Sequence, residues 1–168
     1  MKCPYCGFNN IKGSDECESC GENLASLDGV IPRTKMEKVL MSDPISKLAP
    51  RTLLAVSTKT KISEAVSKMN ASKVGCVLVL ENTDIRGILT ERDVLHKALA
   101  TGKDLDKTTV DTIMTPRVES LSEDDSLAYA VNRMAVGGYR HIPILKNGKP
   151  TGIISIRDVL KYLGRLFP

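Results

Sequence analysis

The chain is poor in aromatic residues, which make up 4% of its 168 residues, and it contains no tryptophan. An interior without large rings has to be filled by valine, isoleucine and leucine, and hydrophobic residues reach 42% of the chain. No apolar run approaches the roughly 20 residues that a membrane-spanning helix needs. The first residues, Met1-Lys2-Cys3, do not form an apolar signal segment. We therefore expect a cytoplasmic globular protein.

Histidine is scarce as well, and neither His96 nor His141 has an evident nucleophile as a partner. Because no catalytic constellation is visible, the sequence predicts a protein that is not an enzyme. The net charge of +4 is unevenly placed, since residues 1–24 carry two lysines against four acidic residues. Residues 33–73 hold nine basic and three acidic residues. Such a stretch attracts phosphates or a polyanion in some proteins, but more often it is a solvated surface.

Four of the five cysteines form two Cys-x2-Cys pairs, Cys3 with Cys6 and Cys17 with Cys20, separated by ten residues. Two intervening residues let both thiolates of a pair bind one ion, and four thiolates complete a tetrahedral shell. A structural zinc ion is the expected occupant, with iron in a rubredoxin-like site as the alternative. Disulfides are disfavoured because nothing in the sequence indicates export to an oxidising compartment.

The segment around these cysteines, residues 1–24, is similar to the zinc-ribbon class. A segment this short cannot bury enough apolar surface to fold alone, so metal binding would supply most of its folding free energy. Such ribbons bind nucleic acid, bind proteins or cap a fold, and the negative charge of this one argues against nucleic acid. Residues 25–38 contain Asp28-Gly29, Pro32 and several charges, which indicate a linker. We therefore expect the ribbon to be a separate unit.

A repeat is the most informative feature of the rest of the chain. The segment from Gly87 to Leu95 (GILTERDVL) recurs 65 residues later, from Gly152 to Leu160 (GIISIRDVL). The same offset aligns apolar residues with the spacing i, i+3, i+4, i+7, which predicts one amphipathic helix per copy. These residues are Ile62, Ala65, Val66 and Met69 in the first copy and Leu127, Ala130, Val131 and Met134 in the second. Asp124 is expected to cap the second helix, and Gly137-Gly138 to end it.

Short apolar runs around each helix predict strands, which gives the order strand, helix, strand, strand, helix in each copy. We expect the strands before the helices at residues 53–56 and 118–121, and the closing helices to begin near Arg92 and Arg157. Asn147-Gly148 between the last two strands of the second copy predicts a type I′ hairpin turn. The sequence thus predicts an α/β fold of two repeated domains, residues 39–101 and 102–168.

Each copy of the motif ends in a hydroxyl, an arginine and a carboxylate, which a hydrophobic core does not need. A carboxylate can accept hydrogen bonds from both hydroxyls of a ribose, while arginine and the open N–H groups of a helix N-terminus bind phosphate. The alternative interpretation is that the hydroxyl and the carboxylate simply cap their helices. The residues are Thr90, Arg92 and Asp93 in the first copy and Ser155, Arg157 and Asp158 in the second.

This pattern resembles the tandem cystathionine β-synthase (CBS) domain pair, or Bateman module, over about residues 39–165. The resemblance rests on the strand order, the hairpin, the repeat length and the pattern Gly-x-x-Thr/Ser-x-x-Asp in both copies. It implies two sheets packed about a pseudo-twofold axis, with two clefts between the copies that bind adenine nucleotides. S-adenosylmethionine is an alternative ligand. In this family the carboxylate binds the ribose, the hydroxyl helps to hold ribose or phosphate, and strand residues sandwich the base.

The resemblance extends to further positions of this chain. Weaker candidates for contact with the base are Leu53, Gly75, Val118 and Ile142. Arg140-His141 lies where nucleotide-binding members often place a basic pair directed at phosphates. The first copy has Val74-Gly75 at that place, which predicts a weaker grip on phosphate there and tighter binding at the Asp158 site.

Together these features predict a regulatory protein that senses adenine nucleotides, with the ribbon contacting an unidentified protein partner. Two alternatives stay open: a nucleic-acid or transcription-associated adaptor, and a rubredoxin-like electron carrier fused to a sensor. Because modules of this family usually pair through their helices, the resemblance also implies a homodimer.

Overall fold

The strands and helices follow the repeat. The computed structural model describes residues 1–3, 5–11, 14–24 and 34–167, with the backbone alone for residues 51 and 52. The strands are β1 (Arg51–Thr52), β2 (Ala55–Ser57), β3 (Cys76–Glu81), β4 (Asp84–Thr90), β5 (Thr115–Pro116), β6 (Leu121–Ser122), β7 (His141–Lys146) and β8 (Lys149–Ser155). The α-helices are α1 (Lys35–Ser42), α2 (Ile62–Ser72), α3 (Glu91–Asp93), α4 (Leu127–Gly137) and α5 (Ile156–Leu166). Helix α3 continues as a π-helical turn, Val94–Ala98, and a 3-10 turn, Leu99–Thr101.

The described residues divide into two compact units. The first contains α1, α4, α5 and the cysteine segment, from described residues within 1–48, 124–140 and 155–168. The second comprises residues 49–123 and 141–154 and holds the strands, except for the last residue of β8. Its two sheets have the orders β2-β3-β4-β5 and β1-β8-β7-β6. No helix among the described residues is long and apolar enough to cross a membrane.

The strand expected before each amphipathic helix is in fact two short strands. β2 and β6 pair in parallel with β3 and β7 of their own copy. β1 and β5 pair antiparallel with β8 and β4, so each copy gives its first strand to the sheet of the other copy. This pairing requires the repeated glycine, because a Cβ on Gly87 would lie 2.7 Å from the carbonyl oxygen of Thr115. The expectation of one strand per copy at this place is therefore wrong.

The interior is aliphatic, as the scarcity of aromatic residues predicts. The two amphipathic helices are confirmed as α2 and α4. Their buried positions are Ile62, Ala65 and Met69 in α2 and Leu127, Ala130 and Met134 in α4. In the second unit, Ile62 packs in one cluster with Val77, Val79 and Leu89, and all four side chains are completely buried. The helical face predicted from the apolar spacing is thus the face that packs in the core.

The turns of the second copy follow their local sequence. Gly138 ends α4 in the left-handed conformation with φ 65°, as the Gly137-Gly138 pair predicts. Asn147 and Gly148 have φ values of 51° and 75°, and a type I′ turn requires positive φ at both positions. The predicted cap of α4 at Asp124 is wrong, because the helix begins two residues later than expected. Ser126 is the N-cap, and its hydroxyl accepts a main-chain N–H of the first turn at 3.1 Å.

Helix α1 begins inside the stretch predicted to be a linker. The Thr34 hydroxyl accepts the Glu37 N–H at 3.1 Å, and the Glu37 carboxylate accepts the Thr34 N–H at 3.2 Å, which forms a capping box. Just after α1, the Asp43 carboxylate accepts a hydrogen bond of 2.6 Å from the Tyr162 hydroxyl of α5. Residues 25–33 of the predicted linker lie outside the described residues.

The cysteine segment contacts helix α4. The Lys2 ammonium makes a salt bridge to Asp125 and lies 5.2 Å from the centre of the Tyr129 ring. Arg133 donates a hydrogen bond to the carbonyl oxygen of Tyr5. Because Asp125, Tyr129 and Arg133 are spaced four residues apart, they lie on one face at and beyond the start of α4. The cysteine segment therefore packs on that face.

Substituting alanine at Gly7 or at Gly21 tests the docking on α4 separately from backbone strain within the cysteine segment. Both glycines follow the second cysteine of a pair and have φ values of 76° and 71°, so alanine costs each a similar strain of about 1–2 kcal/mol. A Cβ on Gly7 would also lie 2.5 Å from the Tyr129 hydroxyl oxygen, whereas a Cβ on Gly21 meets nothing within 4 Å. We expect Gly7→Ala to increase hydrogen exchange of the α4 amides and Gly21→Ala to leave it unchanged.

A double variant provides the control for this comparison. Tyr129→Phe removes the hydroxyl that the new Cβ meets, so it is expected to restore slow exchange of the α4 amides in the Gly7→Ala background. If Gly7→Ala and Gly21→Ala change the exchange of α4 equally, the ribbon does not dock on this helix as described.

Candidate functional site

The four cysteine sulfurs form a compact cluster suited to one metal ion. The Sγ atoms of Cys3, Cys6, Cys17 and Cys20 all lie within 4.8 Å of one another. The Cys3–Cys20 and Cys6–Cys17 sulfur pairs are 3.7 and 3.4 Å apart. Four thiolates arranged tetrahedrally around an ion at about 2.3 Å would be separated by about 3.8 Å. The arrangement therefore fits a closed four-thiolate site with no open coordination position.

The two cysteine pairs are built as equivalent turns. The Gly7 N–H donates to the Cys3 carbonyl oxygen at 2.9 Å, and the Gly21 N–H donates to the Cys17 carbonyl oxygen at 2.8 Å. The first cysteine of each pair is buried and the second is exposed. Leu24, which is completely buried, packs with Cys3 and Cys17 in a small apolar cluster. This cluster is too small to hold the segment together, so a metal bound by the four sulfurs would be its main source of stability.

Hydrogen bonds around the sulfurs favour thiolate at one position. Burial raises the pKa of Cys17, but the backbone N–H groups of Cys20 and Ser19 and the Asn10 amide, 3.5 Å away, bring this pKa to about 6. The backbone N–H of Glu22 lowers the pKa of Cys20, but desolvation and the three neighbouring sulfurs raise it to about 12. A bound cation would replace the protons that these sulfurs otherwise share.

A second site lies where β4 turns into α3. The Thr90 N–H and hydroxyl both donate to Asp93 Oδ2, at 3.0 and 2.6 Å, and the Asp93 N–H donates back to the Thr90 hydroxyl at 3.2 Å. These three bonds form a capping box that satisfies main-chain groups at the start of the helix. The hydroxyl and the carboxylate of the first motif therefore serve as a cap, as the alternative interpretation of the sequence predicts.

The other oxygen of Asp93 is also occupied. Asp93 Oδ1 accepts the Lys97 ammonium at 2.6 Å and the Thr115 hydroxyl at 3.1 Å. Burial, which leaves the residue only 7% exposed, raises the pKa of Asp93. Hydrogen bonds from Lys97 and Thr90 outweigh this effect, and the pKa is below its ordinary value. The Asp93 carboxylate is thus charged at neutral pH and bonded on both oxygens.

The second copy repeats the cap but not the lysine. The Ser155 N–H and hydroxyl donate to Asp158 Oδ2 at 2.7 and 2.6 Å, where β8 turns into α5. Asp158 is half-buried, and so it is more exposed than Asp93. The position equivalent to Lys97 is Tyr162, whose hydroxyl bonds to Asp43. The two motifs therefore share their hydroxyl–carboxylate pair and differ in what surrounds it.

The N-terminus of each motif helix contacts one residue of the preceding segment. The Ile156 N–H donates to the Arg140 carbonyl oxygen, and the Glu91 N–H donates to the Gly75 carbonyl oxygen, both at 3.1 Å. Gly75 is thus the equivalent of Arg140, and the alignment of Arg140-His141 with Val74-Gly75 is wrong by one residue. A Cβ on Gly75 would lie 3.3 Å from the Glu91 carboxylate. Beside this position the first copy therefore has the Glu91 carboxylate, whereas the second copy has an exposed arginine, Arg140, at the position itself.

The remaining candidate residues differ in accessibility. Arg92 and Arg157 are exposed on the first turns of their helices. Leu53 and Val118 are half-buried and pack against a cluster on β3, β4 and β8, while the side chain of Ile142 is completely buried. His141 is half-buried at the start of β7. Half-buried apolar side chains can contact a base without unfolding the sheet, so Leu53 and Val118 suit that role better than Ile142.

The sequence analysis does not identify three residues that lie around the first motif. Lys97 lies four residues after Asp93, the spacing of a helical ion pair, so the sequence does hold a signal for this contact. Glu91 directly precedes the motif arginine, and only a comparison of the two copies shows that the acid is specific to the first. Thr115 has no local signal, because β5 brings it to β4 from 22 residues beyond Asp93.

Comparison with known proteins identifies the family. The model of the CBS domain matches residues 36–100 and 110–165, so the chain belongs to the CBS-domain family and carries the domain twice. An uncharacterized 17.7 kDa protein of Acidianus ambivalens is 34% identical over 125 residues, which cover 73% of this chain and 74% of that protein. The same region matches a longer CBS domain-containing protein of Arabidopsis thaliana, of which it spans only 20%.

Solved structures share the fold. An uncharacterized conserved protein from Pyrococcus horikoshii is 28% identical and superposes with a TM-score of 0.67, covering 73% of this chain and 93% of that one. A CBS domain protein from Pyrobaculum aerophilum, crystallised in complex with AMP, is 24% identical with a TM-score of 0.62. That match covers 73% of this chain and 98% of the other. The mixed α/β fold expected from the repeat is confirmed by these structures.

Alanine substitution of two buried cysteines tests the metal centre. Cys17 and Cys76 are 2% and 4% exposed, but only Cys17 belongs to the sulfur cluster. We expect the native chain and Cys76→Ala to contain one metal ion per chain by elemental analysis. Cys17→Ala should lose it, and the amides of the cysteine segment should then exchange rapidly, because the small apolar cluster around Leu24 cannot hold the segment together alone. Equal metal content in both variants would show that the cluster is not the binding site.

Proposed function

We propose that this CBS-domain protein is a regulator that binds an adenine nucleotide in the clefts that the family resemblance implies between the two repeats. The observation that carries the proposal is the hydroxyl–carboxylate pair, Ser155 with Asp158, placed at a strand-to-helix turn beside Arg140. The complex of the Pyrobaculum aerophilum protein with AMP, which shares the fold, supports this choice of ligand.

The chemistry of the Asp158 turn suits a nucleotide. A charged carboxylate can accept hydrogen bonds from both hydroxyls of a ribose, and Ser155 can bond to the sugar or to phosphate. The exposed guanidinium groups of Arg140 and Arg157 supply positive charge near the N-terminus of α5, where the helix dipole also favours anions. Leu53 and Val118 are the apolar candidates for contact with the base, with Gly75, His141 and Ile142 as further candidates.

Regulation requires that the ligand distinguish two states of the protein. A nucleotide shifts an equilibrium only by the difference between its affinities for the two conformations. We propose that binding alters the packing or mobility of the two repeats, and that a partner protein detects the change. The ribbon is the proposed contact for that partner. No step in this account needs bond-making chemistry, so the protein is proposed to be a sensor and not an enzyme.

Zinc is the proposed ion at the cysteine cluster, where its role is structural. Four thiolates satisfy the preferred coordination of zinc and leave no position for a reacting water. Iron binds the same ligand set, and a rubredoxin-like site would give a red protein. Elemental analysis of freshly purified protein distinguishes the two, with zinc expected and iron contradicting the assignment.

We also propose that the chain forms a homodimer. Leu95 and Leu99 are 56% and 54% exposed on the helix that closes the first copy. Leu160, at the position in the second copy equivalent to Leu95, is 62% exposed. A second copy of the chain would remove these leucines from water, and the pairing of CBS modules through helices supports this arrangement.

A charge substitution tests the homodimer. Leu160→Glu is expected to give a monomer in light scattering at micromolar protein, because it places a charge where the partner would bind. Ile11→Glu is the control, since Ile11 is 75% exposed in the ribbon, away from these helices in sequence. A native chain that is monomeric under these conditions would contradict the proposal.

Calorimetric titration with AMP tests the nucleotide site. Arg140→Gly places in the second copy the residue that the first copy has, and it removes a charge-assisted bond of about 1.5–3 kcal/mol. We expect AMP to bind about 10- to 100-fold more weakly to this variant. Arg165→Ala is the matched control, an exposed arginine in the last turn of α5, and its affinity for AMP should equal that of the native chain.

The outcome of this titration also separates the alternatives. Unchanged affinity in Arg140→Gly would contradict the placement of the phosphates. If AMP does not bind to the native chain, a thermal-shift screen of ADP, ATP, GTP and S-adenosylmethionine identifies the ligand, since a compound that binds the folded state raises its melting temperature. Binding of DNA or RNA that weakens steeply with salt, in the absence of nucleotide binding, would favour the adaptor instead.

A further inference from the structure

The residues of the cysteine segment that contact α4 belong to one of its two metal-binding turns. Lys2 precedes Cys3, Tyr5 lies between Cys3 and Cys6, and Gly7 follows Cys6. Lys2 makes the salt bridge to α4, Tyr5 supplies the carbonyl oxygen, and Gly7 lies against the hydroxyl of a tyrosine on the helix. A metal ion bound by the four sulfurs would fix the shape of this turn. Docking on α4 would therefore depend on the ion.

On the side of the helix, docking involves a buried carboxylate. The Asp125 side chain is 7% exposed and accepts the Lys2 ammonium. Separating a buried carboxylate from its cation is costly, so this pair favours the docked segment. Asp125 directly precedes the N-cap Ser126, and its carbonyl oxygen accepts the Ile45 N–H at 2.8 Å. Because the main chain is held at this second point, undocking is expected to loosen the first turn of α4 without unfolding the helix.

The other end of α4 leads to the proposed phosphate contact. The ring of Tyr139 occupies the place that a Cβ on Gly137, the last residue of the helix, would take. Arg140 follows, and its carbonyl oxygen accepts the Ile156 N–H at the start of α5 at 3.1 Å. The cysteine segment, α4, Arg140 and α5 belong to one compact unit. A displacement of α4 would thus be passed to Arg140 through the packing of one ring on one glycine.

We propose that the cysteine segment is a second input to the regulator, through which a thiolate-bound divalent cation strengthens nucleotide binding beside Asp158. This inference rests on the proposed function and adds to it a dependence on metal. With an ion between the four sulfurs the turn keeps its docking shape, and the docked turn restrains α4 and hence Arg140. A larger population of the binding-competent state gives a higher apparent affinity. Because coupling between two sites is reciprocal, the nucleotide tightens metal binding by the same factor.

Hydrogen exchange and calorimetry of the full chain, loaded with one zinc ion or stripped by a chelator, test the inference. We expect removal of zinc to speed the exchange of the α4 amides and to weaken AMP binding about 5-fold or more. Lys2→Met should keep its zinc, because no ligand is changed, and yet it should also speed exchange in α4 and weaken AMP binding.

Lys59→Met is the matched control for this variant. Lys59 also pairs with an acid that is distant in sequence, Asp111, at 3.3 Å, and it belongs to the other compact unit. Its substitution removes the same charge from the chain without touching the cysteine segment or α4. This control should equal the native chain in zinc content, in exchange of the α4 amides and in affinity for AMP.

The possible failures are distinguishable. Equal AMP affinity with and without zinc would overturn the metal dependence and leave the proposed function standing. Unchanged exchange of α4 on removal of zinc, or native AMP affinity in zinc-loaded Lys2→Met, would overturn the route through α4. If the native chain binds AMP in neither form, the proposed function fails and this inference fails with it. Lys2→Met decides the case even if the zinc-free chain does not stay folded.

Discussion

A short hydrogen bond between a hydroxyl and a carboxylate, repeated 65 residues apart, is the contact on which both halves of this protein depend. In each copy it fixes the residue at which a strand ends and a helix begins, and it supplies partners for main-chain groups that the helix leaves open. The same oxygens are the ones that a ribose would need. In the proposed function, capping and ribose binding would therefore compete for the same carboxylate.

The residues around the motif carboxylate differ between the two copies. In the first copy, Lys97 and Thr115 complete the shell of Asp93, and Glu91 adds a negative charge nearby. In the second copy, Asp158 is more exposed and Arg140 stands at the helix N-terminus. The two repeats thus share the fold and the cap and differ in the charged residues around them.

The repeat made much of the fold predictable, because it revealed the helices, the hairpin and the motif together. Apolar spacing identified the buried faces of α2 and α4, and local turn chemistry identified Asn147 and Gly148. The exchange of β1 and β5 between the sheets could not be predicted, because it depends on pairing between distant segments and leaves no local pattern. Thr115 was missed for the same reason, whereas Lys97 could have been found from its helical spacing.

The structure of the cysteine segment was also only partly predictable from the sequence. The spacing of its cysteines was enough to predict the sulfur cluster, since metal geometry dictates that spacing. Its docking on α4 was not predictable, because it uses a main-chain oxygen of Tyr5 and a salt bridge between Lys2 and Asp125, which lie 123 residues apart. Docking links the cysteine cluster physically to a helix of the second repeat.

A crystal structure of the full chain grown with AMP would test the central claim most directly. The account predicts a bound nucleotide with its ribose hydroxyls on the Asp158 carboxylate and its phosphate near Arg140. AMP bound away from both motif aspartates would contradict it.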